Sequence, residues 1–139
     1  MVSTVHLFFN QRENVKDIAS SVEECVRDGK EYGGYVLQKG TNLQFIKSCK
    51  NAGTKENPKT TIYFPKFVWQ GKVMALYHYH ADDEDRTELA GPSGLDLETT
   101  TQNNITGIVI TKLAGKNFNV DVFFARQPQT VIDLGNYTY

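Results

Sequence analysis

Val73-Met74-Ala75-Leu76-Tyr77-His78-Tyr79-His80 is the stretch on which the reading of this chain turns. Its apolar and aromatic residues predict a central β-strand that delivers two histidines at its C-terminal end, where functional groups commonly gather on a scaffold of helices and strands. Side-chain direction repeats every second residue along a strand, so His78 and His80 are expected to point the same way. Two imidazoles so placed can share one metal ion. An aspartate from a later element would add an anionic ligand, and three protein ligands leave one tetrahedral position open, as expected of a catalytic zinc.

Outward from that strand, Val15, Ile18, Val22, Cys25 and Val26 recur at helical spacing between Glu13 and Asp28. They predict an amphipathic helix that starts near Asn10 or Asn14 as a cap and stops at Gly29. Tyr32 to Leu37 and Leu43 to Ile46, separated by Lys39-Gly40, predict a hairpin. Asn51 through Lys59 reads as a loop, and Thr60 to Phe64, stopped by Pro65, as a further strand. Pro92-Ser93 is expected to open a helix reaching Asn104, with Ser93 as N-cap and Asp96 in its first turn. Gly107 to Thr111 and Phe118 to Phe124 predict a second hairpin across Gly115-Lys116, while the tail after Pro128 has no clear assignment. The expected class is α+β, one domain over residues 1–139, with a mixed sheet of roughly six strands flanked by an N-terminal helix and a helix after the histidine strand.

Composition narrows the function classes. A formal net charge of -1 on 139 residues, with 22% charged side chains, points to neither a disordered chain nor a basic nucleic-acid binder. No apolar run approaches the roughly 20 residues of a membrane span, and the first residues lack the pattern of a secretory signal. The expectation is a cytoplasmic protein, or an effector exported by another route, whose partner is a protein or peptide substrate and not a nucleic acid or a membrane. Cys25 and Cys49 are expected to be free thiols, Cys25 on the buried stripe of the first helix, with a nucleophile as its alternative role. Asp82-Asp83-Glu84-Asp85-Arg86 reads as a solvated loop beside the histidine strand.

Each candidate residue has an ordinary explanation beside its chemical one. His78 and His80 can be interior side chains, Asp96 favours the helix macrodipole, Ser93 satisfies a helix start, and Glu31 can be a solvated residue before a strand. Taken in order, however, Glu31-Tyr32-Gly33-Gly34, His78-Tyr79-His80 and Ser93-Gly94-Leu95-Asp96 resemble the JAMM (MPN/JAB) metallopeptidase family over roughly Glu13 to Phe124. The resemblance implies a cytidine-deaminase-like architecture and a zinc-dependent peptidase or isopeptidase. It also implies that His78, His80 and Asp96 bind zinc, that Glu31 is the general base, and that Ser93 stabilises the tetrahedral intermediate. The chain departs from the family pattern in Tyr79 between the histidines, in Ala81 where proline is common, and in a longer connection, Ala81 through Pro92. A module that keeps the fold without turnover, or a toxin or effector domain of the same fold, is the competing expectation.

Overall fold

A computed structural model of the chain describes residues 2–28, 33–51, 62–63, 72–84, 105–124 and 130–139. Among the described residues two helices, α1 (Val2–Phe9) and α2 (Arg12–Asp28), precede seven strands. These are β1 (Gly33–Lys39), β2 (Asn42–Asn51), β3 (Ile62–Tyr63), β4 (Lys72–Glu84), β5 (Thr106–Leu113), β6 (Asn117–Phe124) and β7 (Thr130–Thr138). They form one mixed sheet in the order β3-β2-β1-β4-β5-β6-β7, antiparallel throughout except for the parallel pair β4 and β5. The class is α+β. No helix among the described residues is long and apolar enough to cross a membrane.

The elements follow from their residues. Alternation along β4 sends Ala75, Tyr77 and Tyr79 into the main core, where they meet Ile108 and Ile110 of β5 and Val120 and Val122 of β6. Onto that face α2 lays Val15, Ile18, Ala19, Val22 and Cys25, all buried, which is the stripe that its periodicity predicts. The hairpin of β1 and β2 turns at Gly40, whose φ of 62° lies in the left-handed region open to glycine at little cost. At Gly33 the requirement is different. A Cβ there would run into the Tyr77 carbonyl oxygen and crowd His78, so only glycine lets β1 approach β4 at this level.

Four features depart from the sequence expectation or go beyond it. Residues 2–9 form a helix, held less by propensity than by Phe9, which is buried with its ring edge-on to Phe118 and Phe45 at 6.1 Å. Asn14 does not cap α2; its side-chain amide donates to the Phe8 carbonyl at 2.9 Å and so ties α2 to the end of α1. The strand β4 does not stop at His80 but runs on to Glu84, which pairs with Leu113, so Asp82 to Glu84 of the acidic run belong to a strand and not to a loop. The tail, left unassigned from sequence, supplies edge strand β7. Gly29 and the expected helix of residues 92–104 lie outside the described residues.

The anchoring of α1 gives a direct expectation. Phe9→Ala should cost about 3–5 kcal/mol in urea denaturation, the loss for truncating a buried phenylalanine. Leu7→Ala on the same helix should stay within about 0.5 kcal/mol, because Leu7 is 64% exposed. Equal losses would mean that α1 does not dock through Phe9.

Candidate metal centre

The face of the sheet opposite α2 carries the polar residues. Since cross-strand partners share a face, the register His78–Val109–Asp121–Asp133 forms one row across β4, β5, β6 and β7. The neighbouring row is His80–Thr111–Asn119–Asn136. His78, Thr111, Asn119 and Asp121 are all buried, which is unusual for four polar side chains on one sheet face.

Within these rows the expected pair is brought together. His78 Nε2 lies 3.1 Å from His80 Nε2, with ring centroids 4.9 Å apart. A neutral pair at that distance can share a proton, one ring N–H donating to the other ring nitrogen. The same convergence suits a metal. Two imidazole nitrogens bound to one tetrahedral zinc at about 2.0–2.1 Å stand about 3.3 Å apart, so the pair needs only a small adjustment to hold one.

Tyr79, which separates the histidines, works on the other face. It is buried in edge-on contact with Tyr77, ring centroids 5.6 Å apart. Burial, with Tyr77 alongside, pushes its phenol well above the ordinary range, against a hydrogen bond with Ser21 of α2. Tyr79, the one residue between the two imidazoles, is thus packed in the core that α2 covers. Cys25 lies buried in that same core, outside any disulfide and across the sheet from the histidines, and is not placed to act with them as a nucleophile. The side chain of Cys49 lies outside the described residues.

The remaining expected site residues, Glu31, Ser93 and Asp96, also lie outside the described residues. The strand that follows Glu31 in sequence begins at Gly33, registered against His78. Among the described residues no group of three or more His, Cys, Asp or Glu side chains is close enough to hold a metal ion, so that part of the chain contributes the histidine pair alone.

The sequence predicts β6 as a strand but assigns no site residue to it. Asn119 donates through Nδ2 to Asp133 Oδ1 and Asn136 Oδ1, each at 2.9 Å, and to the Gly135 carbonyl at 3.3 Å. Its own Oδ1, and Oδ2 of Asp121 two residues on, are buried without a hydrogen-bond partner. Burial first, then the nearby Asp133 charge, raises the Asp121 carboxyl from 3.8 to about 6, while His80 acts in the opposite direction. The only signal available in the sequence was the polar pair Asn119 and Asp121 alternating with apolar residues between Phe118 and Phe124, which reads equally well as a solvent-facing side.

The raised carboxyl makes stability depend on pH. Between pH 3.8 and about 6 the native state holds a proton that the unfolded chain has released, so this contribution is complete at lower pH and lost as pH rises through about 6. Asp121→Asn should flatten the urea-midpoint profile across that window and leave the protein no less stable than its parent at pH 7. A parent profile that rises through the window because of Asp121 would refute the assignment.

Compared with known proteins, the chain matches no family model and no curated protein.

Proposed function

We propose that this chain is a zinc-dependent hydrolase of peptide or isopeptide bonds, a divergent relative of the JAMM (MPN/JAB) metallopeptidases with their cytidine-deaminase-like architecture. The observation that carries the proposal is the convergence of two Nε2 atoms to 3.1 Å on a buried central strand. Support comes from β1, whose first residue faces His78 and so brings the chain just after Glu31 to the same level of the sheet.

In this scheme His78 and His80 would hold a zinc ion through Nε2, with Asp96 as the anionic third ligand, and the chemistry such an ion would supply is Lewis acidity towards the scissile carbonyl and towards water near neutral pH. Glu31 takes the proton from the attacking water and delivers one to the leaving amine. The Ser93 hydroxyl donates to the carbonyl oxygen as negative charge develops there, a contribution worth about 3 kcal/mol when one donor is removed. The fixed scaffold matters as much as the ligands. Because Tyr79 is buried in the core with α2 and Gly33 allows close packing of β1, the two imidazoles need little reorganisation to act together.

Protein purified without chelators should contain about one zinc per chain, and His78→Ala, His80→Ala or Asp96→Ala should lose it. Glu31→Gln should keep the metal while abolishing hydrolysis of a mixed library of peptide and lysine isopeptide amides. Ser93→Ala separates two roles: a cap alone costs about 1 kcal/mol of stability, whereas an oxyanion donor costs about two to three orders of magnitude in turnover. A parent protein that neither contains nor takes up zinc would overturn the proposal and favour a non-catalytic module of this fold.

A further inference from the structure

Away from the histidines, the same face of the sheet gathers oxygen atoms where β6 meets β7. Three of them converge on one point: Asp133 Oδ1 and Asn136 Oδ1 each lie 2.9 Å from Asn119 Nδ2, and the Gly135 carbonyl oxygen lies 3.3 Å from it. An amide nitrogen has a pair of hydrogens to give, so these acceptors outnumber its donors. The convergence has a local cause. Leu134 has no partner in the register opposite Val120 and Asp121, and Gly135 takes a φ of 103°, so a bulge brings Asp133, Gly135 and Asn136 around one amide.

Two further oxygens beside this point lack a donor. Asn119 is 3% exposed, and its Oδ1, bonded to the same carbon as Nδ2, has no partner. Asp121, 5% exposed and directly opposite Asp133 in the register, has none at Oδ2. Burying unserved acceptors opposes folding, and carboxylates set opposite each other across a strand pair add repulsion. A cation removes both costs. Half a turn about the last side-chain bond of Asn119 puts Oδ1 where Nδ2 stands, so that four oxygens, from Asn119, Asp133, Gly135 and Asn136, face one point. The Asp121 carboxylate stands two residues from Asn119 on the same face of β6 and opposite Asp133.

The donor set selects the ion. Carboxylate, amide and main-chain oxygens in an irregular arrangement at about 2.3–2.6 Å are what calcium takes, whereas magnesium demands a near-ideal octahedron and keeps much of its water. The present separations would contract by about 0.5–1 Å to reach that range, a movement open to the exposed Asp133 and Asn136 of an edge strand. Zinc prefers the nitrogens of β4, two to three strand spacings or about 10–14 Å away.

We propose that Asn119, Asp121, Asp133, Gly135 and Asn136 form a calcium site that fastens edge strand β7 to the sheet, separate from the histidine pair and independent of its function.

The test is a calcium titration of the full chain, stripped of metal, exchanged into chelator-free buffer and held well above the pH at which Asp121 titrates. Calcium up to about 10 mM, above the roughly 0.1–1 mM dissociation constants of weak protein calcium sites, is expected to shift the 15N-resolved amide signals of Asn119, Asp121, Gly135 and Asn136 saturably and to raise the melting temperature. Magnesium at the same concentration should do far less. Asp133→Asn should abolish the saturable shift, and His78→Ala should keep it. A parent whose β7 amides and melting temperature do not respond to calcium overturns the proposal, as does an equal response to magnesium, a response undiminished in Asp133→Asn, or one lost in His78→Ala. If Asp133→Asn does not fold, the parent spectrum decides by itself, because saturable shifts confined to residues outside β6 and β7 place the ion elsewhere.

Discussion

The two-residue alternation of β4 at the middle of the sheet is the constraint on which the rest of the molecule depends. Tyr77 and Tyr79 go to one side and are sealed by α2, while His78 and His80 go to the other and meet each other. A slip of one residue would exchange the two sets, burying imidazoles against aliphatic side chains and turning two tyrosine rings away from the core. Register is therefore specified twice, by apolar burial on one face and by ring contact on the other. The Gly33 approach adds a third restraint, because β1 fits against Tyr77 and His78 only where no side chain intervenes.

Much of this was legible in the sequence because it is periodic. The stripe from Val15 to Cys25, the hairpin at Gly40 and the hairpin of β5 and β6 each carry a local signal that burial or turn chemistry reinforces. Helix α1 carries none, since Val2, Thr4, Val5, Phe8 and Phe9 are mediocre helix formers and its docking comes from ring contacts with distant strands. The last strand was hidden for another reason. Gly135, with a φ of 103°, and the irregular register beside it break the alternation that would have announced β7. The parallel pairing of β4 with β5 is likewise a property of topology that no local pattern encodes.

The candidate site divides along the same line. The histidines could be paired from sequence because residues i and i+2 of a strand share a face, whatever the tertiary structure. Asp121 could not be placed on their face, because that depends on three strands lying side by side. Its cost is also visible only in the fold. A buried carboxyl with an unpartnered oxygen, close to Asp133, opposes folding near neutral pH. Groups held at such expense are typical of sites where function and stability compete.

The parallel pairing of β4 with β5 also shapes how the molecule must assemble. On one side of it lie β1 to β4 and on the other β5 to β7, each block antiparallel and stitched by contacts between neighbouring strands. Within the sheet the seam between β4 and β5 joins them, and its partners are separated by a long crossover in the chain. Loop closure of that kind is slow relative to hairpin formation, so the seam is the rate-limiting event expected from contact order. The histidines stand on one side of it and Asp121 on the other. Before the halves join there is no shared polar face, which ties the appearance of the site to the last step of folding.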